Sequence, residues 1–373
     1  MSEYTQQYRV AVVQAEPVWN DVAGGIEKTI RLARQAAEGG ADLIAFPEVW
    51  IPGYPWFLWL DSVAWQSRFV LPYMENSIEL GSAEHRELER AAAEVGIAMS
   101  LGFSERDRGS LYIAQAFIDS DGVTRTTRRK LKPTHVERTL FGEGDGADIQ
   151  VIDTDFGRLG QLNCWEHLQP LAKYAMFSQG EQVHVAAWPS FSIFEDAVYA
   201  LGPEVNVGAA RQYAVEGQCF VLSPCGMVGQ AGQELLADTE LKKDLLRLGG
   251  GHARIFGPDG RPLAEPLAPD QEGLLFADLD HRAILAAKNA ADPVGHYSRP
   301  DVFRLHFDNT AKPMVVEGAM AAGGADERDE ADGIAAEGIV PTRSSAPGDG
   351  DGVGADDGAA SHAGRRSEEA VQL

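Results

Sequence analysis

The feature that most constrains the fold of this chain is a repeated alternation of short apolar runs with segments of helical periodicity. Residues 9–14 and 43–46 are runs rich in Val, Ala, Leu and Ile that predict buried strands, and residues 26–37 between them predict a helix. Strand, helix and strand in this order form a parallel crossover. The same order recurs in residues 183–188, 205–216 and 219–223. The alternation therefore predicts an α/β protein with layers of sheet between helices.

The middle of the chain predicts more elements of the same two kinds. A helix is expected over residues 84–95, whose apolar positions recur on one face. Apolar segments separated by polar turns predict strands at residues 97–103, 110–118, 123–130, 149–153 and 158–163. Residues 50–60 combine tryptophan, tyrosine and phenylalanine with prolines and a glycine, which indicates an irregular aromatic loop. Residues 253–256 and 274–277 predict a closing pair of strands.

The composition changes sharply after residue 308. The whole chain has 373 residues, of which 44% are hydrophobic, enough to bury a large core. Residues 309–373 contain no aromatic residue and hold 13 acidic side chains against 5 basic ones, a net charge of 5 − 13 = −8. Such a segment, rich in Gly and Ala, cannot form a core. We therefore expect a folded domain over residues 1–308 and a disordered acidic tail over residues 309–373.

Charge and cysteine content restrict the partners and the compartment. The formal net charge is −24, so nucleic acid and anionic membrane surfaces are unfavourable partners. The three cysteines, Cys164, Cys219 and Cys225, are too few and too unevenly spaced for a disulfide framework or a zinc site. The N-terminal residues lack the pattern of a signal peptide, and no apolar run reaches membrane-spanning length. A cytoplasmic protein is expected.

Three side chains of complementary chemistry follow predicted strands. Glu48 comes after residues 43–46, Lys130 ends residues 123–130, and Cys164 lies at the turn between a strand and a helix expected over residues 168–178. Strand ends at one edge of a sheet converge, so these groups can meet there. A carboxylate can accept the thiol proton, and an ammonium group favours negative charge on sulfur and on substrate. The amide-rich turn is also expected to favour a thiolate at Cys164.

Five segments carry a resemblance to a known family: Phe46-Pro-Glu-Val-Trp-Ile-Pro-Gly-Tyr-Pro55, Arg129-Lys-Leu-Lys-Pro-Thr-His-Val-Glu-Arg138, Gly142-Glu-Gly-Asp-Gly146, Asn163-Cys-Trp-Glu-His167 and Asp292-Pro-Val-Gly-His-Tyr-Ser-Arg-Pro300. Over about residues 8–306 the chain resembles the nitrilase branch of the carbon-nitrogen hydrolase superfamily. The resemblance implies Glu48 as general base, Lys130 as catalytic lysine, Cys164 as nucleophile and Glu137 as a second glutamate near the thiol. It also implies a four-layer α-β-β-α sandwich that pairs into dimers and larger helical oligomers.

The resemblance further implies a reaction and a substrate pocket. An organic nitrile and water would give a carboxylic acid and ammonia through a Cys164 thioimidate and thioester, with some amide as by-product and no cofactor or metal. Substrate contacts are expected from Tyr54, Trp59, Phe141, Trp165, His167, Trp188 and Pro189. An amidase, a carbamoylase or a cyanide-hydrolysing enzyme of the same superfamily is the alternative chemistry, and a non-catalytic oligomeric scaffold is an alternative of another class.

Several residues keep a second interpretation. Lys132 could replace Lys130, because alternate residues of a strand face the same side. Glu137 could be structural and pair with Arg138 or Lys132. His135 or His167 could activate the thiol as in Cys-His proteases, and the same histidines with Glu166 could be imagined as metal ligands. Cys219 and Cys225 flank an apolar strand and are expected in the core.

Overall fold

The computed structural model describes residue 4 and residues 6–195, 197–313 and 315. The strands, numbered in chain order, are β1 (Gln7–Ala15), β2 (Leu43–Ala45), β3 (Ala98–Asp107), β4 (Ser110–Ile118), β5 (Thr124–Arg129), β6 (Phe141–Gly142), β7 (Val151–Thr154), β8 (Gly157–Asn163), β9 (Val183–Ala187), β10 (Phe220–Ser223), β11 (Cys225–Gly226), β12 (Arg254–Phe256) and β13 (Gly273–Asp280). The α-helices are α1 (Val22–Glu38), α2 (Val63–Glu75), α3 (Ala83–Val95), α4 (Pro170–Ser178), α5 (Pro203–Gly217), α6 (Gln230–Leu236), α7 (Glu240–Leu245) and α8 (Arg282–Lys288).

The strands form two sheets. The first has the order β11-β1-β2-β3-β4-β5, with β13 also paired to β1 and β6 paired to β4. Its strands β1, β2 and β3 are parallel, as the crossover through α1 predicts, whereas β3, β4 and β5 pair antiparallel. The second sheet has the order β12-β10-β9-β8-β7, with a parallel centre of β8, β9 and β10. Antiparallel strands β7 and β12 form its edges.

The two faces of β1 pack on different partners. Val10 and Val12 belong to a core cluster that includes β8–β10 and helices α4 and α5, whereas Ala11 and Val13 join a cluster with α1 and α3. Because successive side chains of a strand point to opposite faces, the first sheet separates these two cores. The layers are therefore helix, sheet, sheet and helix. The predicted four-layer α-β-β-α sandwich is confirmed.

The structure corrects some predicted elements. Residues 253–256 and 274–277 are strands, but they do not pair with each other: β12 lies beside β10 in the second sheet and β13 beside β1 in the first. Eight residues of β13 match eight of β1 in register, a pairing that local sequence does not reveal. The helix expected from residue 168 begins at Pro170, after a short 3-10 helix over Cys164–Leu168. Helix α2, which contains Pro72, was not predicted.

The predictions on the tail and on membrane-spanning segments can be compared only with the described part of the chain. Residues 309–313 and 315 have no regular secondary structure, and the remainder of the predicted tail, residue 314 and residues 316–373, lies outside the described part of the chain. Among the described residues, no helix combines the length and the apolar character needed to cross a membrane. Cys219 and Cys225 lie fully buried in the core, as predicted.

Candidate active site

Glu48 lies three residues beyond β2, against the neighbouring strand β3. Its backbone N–H donates to the Trp188 carbonyl at 3.4 Å, and its side chain is buried. A Cβ at Gly102 in β3 would lie 2.2 Å from the Pro47 carbonyl oxygen, so only glycine lets β3 pass this close. Val49 has a φ of +45°, a strained value for a β-branched residue. The carboxyl group is thus held on a tightly constrained backbone.

Lys130 follows the last residue of β5 and is fully buried. Its N–H donates to the Ile113 carbonyl at 2.7 Å, which continues the strand pairing by one residue. Its Nζ lies 2.8 Å from Glu48 Oε1 and 2.8 Å from Glu137 Oε2. The side chain of Lys132, by contrast, is 56% exposed and pairs with Glu143. Of the two lysines, only Lys130 is in the buried carboxylate cluster.

Glu137 lies in a 3-10 helix over His135–Thr139, and both oxygens of its carboxylate accept hydrogen bonds. Oε2 accepts from the Thr134 N–H at 2.6 Å as well as from Lys130, and Oε1 accepts from the Tyr54 hydroxyl at 2.6 Å. Tyr54 also accepts from Trp59 Nε1 at 3.2 Å. The alternative in which Glu137 pairs with Arg138 or Lys132 is therefore wrong. Glu137 joins Lys130 to the aromatic loop.

Cys164 begins the 3-10 helix that follows β8 and has a φ of +46°, an uncommon value for a residue other than glycine. This bend turns the chain sharply at the strand end. Burial and the nearby Glu48 raise the pKa of the thiol well above its ordinary value, although Lys130 and the Trp165 N–H act in the opposite direction. Cys164 is therefore a thiol at neutral pH. The turn was expected to favour a thiolate, and its Trp165 N–H acts in that direction, but burial outweighs this effect.

The charge distribution prepares Glu48 to exchange a proton. Burial, with the negative charge of Glu137, raises the pKa of Glu48 to about 8, and the ammonium group of Lys130 limits this rise. The two carboxylates raise the pKa of Lys130 well above its ordinary value, so the lysine stays charged. Glu48 Oε2 has no hydrogen-bond partner among the described residues. A carboxyl group whose pKa lies near the working pH, with one oxygen available, suits general acid-base chemistry.

A small pocket of about 30 Å³ opens onto Cys164 and Glu137. The side chains predicted to contact substrate that line this pocket are Tyr54, Trp59, Trp165, Trp188 and Pro189. Sequence reasoning missed five further lining residues, Trp56, Thr134, Ile193, Leu201 and Asn206, and Ser190 and Phe191 complete the wall. The walls are mostly aromatic, and Asn206 accepts from Trp165 Nε1 at 2.8 Å, which fixes the indole. The pocket thus offers a rigid apolar wall beside the thiol.

Two predicted pocket residues lie elsewhere. Phe141 packs edge-on against Tyr73, with ring centroids 6.2 Å apart, in the core cluster behind the aromatic loop. His167 is buried beneath the turn, where its Nδ1 lies 2.6 Å from the Cys164 carbonyl oxygen and its ring stacks on Trp188. The prediction that both line the pocket is corrected. His135 stacks on Trp59, so neither imidazole is placed to take the thiol proton.

The buried ion pair of Arg128 and Glu166, which was not predicted from the sequence, links the segment after Lys130 to the segment before Cys164. Arg128 Nη1 and Nη2 donate to the two oxygens of Glu166 at 2.9 and 2.6 Å. Glu166 also accepts from the backbone N–H groups of Leu131 at 2.9 Å and Asn163 at 2.7 Å. Arg128 lowers the pKa of Glu166 despite burial. Both oxygens are occupied, so Glu166 is not available as a metal ligand.

A wider cavity of about 550 Å³ adjoins the small pocket. Thr134 and Trp165 line both spaces and therefore form the wall between them. Lys132, His135 and Arg138 give the wider cavity a basic side, and residues 305–308 close part of its rim. The loop that carries Glu137 thus has one side on the small pocket and the other on this cavity.

Comparison with known proteins identifies the class to which this fold and site belong. The family model for carbon-nitrogen hydrolase matches residues 9–289, and the chain belongs to this family. A nitrilase of Pseudomonas syringae pv. syringae (strain B728a) is 58% identical over 309 residues, which cover 83% of this chain and 92% of that protein. An aliphatic nitrilase of Rhodococcus rhodochrous is 52% identical over 83% of this chain and 84% of its own length. An arylacetone-specific nitrilase of Alcaligenes faecalis is 50% identical over 80% and 84%.

Solved structures share the fold at low sequence identity. The carbon-nitrogen hydrolase of Helicobacter pylori G27 superposes with a TM-score of 0.65 at 18% identity, over 81% of this chain and 98% of that chain. An amidase of Nesterenkonia sp. AN1, with acrylamide added to its active-site cysteine, has a TM-score of 0.56 at 20% identity, over 76% of this chain and 97% of that chain. At such identities the likeness concerns the fold alone.

Proposed function

We propose that this protein is a nitrilase that hydrolyses an organic nitrile to the carboxylic acid and ammonia. One observation carries the proposal: Glu48, Lys130 and Cys164 lie in one buried cluster beside a pocket with aromatic walls. A base, a cation and a nucleophile in this arrangement are what addition to a carbon-nitrogen triple bond requires. Nitrilases at 50–58% identity over at least 80% of the chain support the same conclusion.

In the first step the Cys164 sulfur adds to the nitrile carbon while Glu48 accepts the thiol proton. Because burial keeps the thiol protonated, this transfer accompanies attack and does not precede it. Negative charge develops on the nitrile nitrogen, where Lys130 and the Trp165 N–H stabilise it. The proton then passes to the nitrogen and leaves a neutral thioimidate on sulfur.

Two waters complete the reaction. The first adds to the thioimidate carbon with Glu48 as base, and collapse of the tetrahedral adduct expels ammonia and leaves a thioester. The second water hydrolyses the thioester to the acid and restores the thiol. The sum is R-CN plus two waters to R-COOH plus ammonia. If the first adduct expels the thiol instead, amide is released as a by-product.

A matched pair of lysine variants tests the assignment. We expect Lys130→Met to reduce ammonia release at least about a hundredfold, the scale of losing one charge-stabilising donor. Lys132→Met should keep the wild-type rate because the Lys132 side chain is largely exposed. Cys164→Ala should abolish turnover and retain the fold, as judged by circular dichroism. Ammonia release by Cys164→Ala, or equal losses in both lysine variants, would contradict this mechanism.

The aromatic walls support an apolar nitrile as substrate. We propose a panel of benzonitrile, phenylacetonitrile, an aliphatic dinitrile and cyanide, each organic nitrile paired with its amide. A nitrilase turns over nitriles in preference to the matching amides, and the preferred nitrile identifies the substrate class. Faster hydrolysis of the amides would favour the amidase or carbamoylase alternative. Turnover of cyanide alone would identify the cyanide-hydrolysing alternative.

Self-association into dimers and larger helical oligomers is proposed from the family resemblance. Leu171 on α4, Leu285 on α8, Tyr297 and Phe303 are large apolar side chains on the surface, which supports a contact with further copies. Size measurement of the full chain and of residues 1–308 would test whether the tail affects assembly. An unchanged size would exclude such a role. A cytoplasmic location stays a prediction.

A further inference from the structure

A second set of buried polar groups lies beneath Cys164, on the side away from the pocket. His167 Nδ1 lies 2.6 Å from the Cys164 carbonyl oxygen, and His167 Nε2 lies 2.9 Å from His184 Nε2. His184 Nδ1 in turn lies 2.6 Å from Glu181 Oε1. The other oxygen of Glu181 accepts from the Tyr213 hydroxyl at 2.6 Å. Three contacts therefore join the carboxyl group of Glu181 to the backbone of Cys164.

The Cys164 carbonyl fixes where the protons of this chain lie. A carbonyl oxygen can only accept, so His167 carries its proton on Nδ1 and its Nε2 accepts. His184 must then donate from Nε2, which leaves His184 Nδ1 as an acceptor. With both rings neutral, Glu181 has to supply the last donor and is therefore a protonated carboxylic acid. Three hydrogen bonds thus require three protons, one of which belongs to Glu181.

The surroundings of Glu181 favour this protonated form. Tyr213 from α5 and His184 from β9 contact the carboxyl group, and the Cys219 thiol, one residue before β10, interacts with it electrostatically. None of these is a cation at neutral pH. Burial accordingly raises the pKa of Glu181 to about 8. From β8, Gly160 adds no side chain, and its missing Cβ leaves the space that Glu181 Oε1 occupies.

The two imidazoles are also held neutral. Burial and the positive charge of Arg128 lower the pKa of His184 well below its ordinary value, although Glu166 acts in the opposite direction. Burial and the neighbouring His184 lower the pKa of His167 to about 3, with Lys173 of α4 adding to the effect. With both rings neutral, each group in the chain can donate only towards Cys164: Glu181 to His184, His184 to His167, and His167 to the Cys164 carbonyl.

We propose that Glu181, acting through His184 and His167, positions the nucleophile: its carboxyl proton completes a hydrogen-bonded chain that holds the Cys164 carbonyl and hence the left-handed backbone of the turn. The proposal rests on the proposed function for its kinetic consequence. Loss of the Glu181 proton leaves two protons for three hydrogen bonds, so one contact in the chain breaks. Because the chain ends on the backbone and not on substrate, loosening it lowers kcat and leaves KM nearly unchanged.

Two variants of one residue separate positioning from packing. In Glu181→Gln the amide N–H can donate to His184 Nδ1 and the amide oxygen can accept from Tyr213, so every hydrogen bond survives without a titratable proton. In Glu181→Leu the donor is lost at similar volume. Glu216→Gln on α5, a partly exposed glutamate paired with Lys173, is the control that changes charge near the same helices. Steady-state nitrile hydrolysis would be measured across pH with the full-length chain.

We expect Glu181→Gln to match the wild-type kcat at neutral pH and to lack the decline that the wild type shows as pH rises through about 8. The pKa of Glu48 is also raised to about 8, so this general base titrates over the same pH range. The measured quantity is therefore the ratio of kcat in Glu181→Gln to kcat in the wild type across pH, in which the Glu48 titration common to both proteins cancels. Glu181→Leu should lose kcat about tenfold to a hundredfold, as expected for a misplaced reacting group, with KM retained. Glu216→Gln should follow the wild type.

The proposal is overturned if Glu181→Gln keeps the wild-type alkaline decline, or if it loses as much activity as Glu181→Leu. It is also overturned if Glu181→Leu is as active as the wild type at neutral pH. If Glu181→Leu does not fold, the comparison of Glu181→Gln with the wild type decides alone.

An infrared measurement keeps the inference testable if no nitrile is turned over. Because the pKa of Glu48 is also raised to about 8, both glutamates contribute the C=O stretch of a protonated carboxylic acid near neutral pH. We therefore expect this band in Glu48→Gln and its loss in the double variant Glu48→Gln/Glu181→Gln. The rate of Cys164 alkylation, measured by mass spectrometry, should differ between Glu181→Leu and Glu181→Gln. Only the leucine variant loses the hydrogen bond to His184 that holds the Cys164 turn. A missing carboxyl band, or equal alkylation rates, overturns the inference independently of the proposed function.

Discussion

Two fully buried glutamates hold the Cys164 turn by opposite electrostatic means. Glu166 lies within the turn and pairs with Arg128, which lowers the pKa of its carboxyl group. Glu181 reaches the turn through two histidines, and burial without a cation raises its pKa to about 8. One support is therefore a charged pair that keeps its form across neutral pH, and the other is a neutral chain that depends on a proton. Burial sets the cost of charge, and the partner decides whether the carboxyl group ionises.

The two supports also constrain different parts of the site. Glu166 accepts from the N–H groups of Leu131 and Asn163, so it fixes the segment after Lys130 relative to the end of β8. The chain from Glu181 ends on the carbonyl of Cys164 itself. The charged pair thus sets the separation between the ammonium group and the nucleophile, and the neutral chain sets the backbone conformation of the nucleophile.

The largest expected effect is that of Glu166→Gln. Removing one member of a buried ion pair leaves Arg128 as an uncompensated buried charge, which costs about 3–5 kcal/mol of the free energy of unfolding. Denaturant unfolding of the full chain near pH 7 measures this loss. The same isosteric change at Glu181 should cause no such loss. Equal destabilisation by the two substitutions would remove the distinction between a charged and a neutral support.

The pH dependence of stability should separate the same two glutamates. The folded-state pKa of Glu181 is raised, so its stabilising contribution is complete below the unfolded pKa and is lost as pH rises through about 8. Glutamine has no proton to lose. The free energy of unfolding of Glu181→Gln should therefore exceed that of the wild type by an amount that grows by up to ~1.4 kcal/mol per pH unit between about pH 5 and pH 8.

Glu166 behaves in the opposite sense. Its folded-state pKa is lowered, so its contribution is present at neutral pH and is lost as pH falls through the folded value. Unfolding measured from pH 4 to pH 9 for the wild type and Glu181→Gln tests the expectation for Glu181. A stability difference that stays constant with pH would show that Glu181 does not change its protonation on unfolding.

A smaller effect is expected from Gly160→Ala in β8. A Cβ at this position would lie 2.0 Å from Glu181 Oε1 and 2.5 Å from the terminal methyl of Met176. The Glu181 carboxyl group would have to move, which overpacks the core at a cost of about 1–3 kcal/mol and disturbs its contact with His184. Thermal unfolding and kcat should both decrease. Gly208→Ala on α5 is the matched control, because its Cβ would meet no atom within 4 Å.

The smallest effect is expected from Tyr213→Phe. The Tyr213 hydroxyl donates to Glu181 Oε2 and so lowers the Glu181 pKa against the effect of burial. Its removal costs about 1 kcal/mol of stability, the usual net value of one hydrogen bond. It should also move the alkaline decline of kcat to higher pH. A shift to lower pH would mean that Tyr213 does not stabilise the Glu181 carboxylate.

The sequence alone determined the layered α/β fold and the main catalytic candidates. Apolar runs and helical spacing are local properties, so they predicted β1, α1, β2 and β8 to within a few residues. Glu48, Lys130 and Cys164 could be named because each follows a strand end within a recognisable motif. The choice of Lys130 over Lys132 agrees with the buried ion pairs that Lys130 forms.

The tertiary structure decided which side chains meet and in which protonation state. β12 and β13 were predicted as strands, but their pairing with β10 and β1 depends on contacts between distant segments. The thiol form of Cys164 follows from burial, which outweighs the local field of the turn. Little in the sequence indicated a role for Glu181 and His184. Glu181 lies two residues before β9 and His184 is the second residue of this apolar strand. Their role depends on α5, β8 and β9, which enclose them beneath the nucleophile. Among the described residues no Lys or Arg forms an ion pair with Glu181, and the proton of Glu181 takes the place of such a cation.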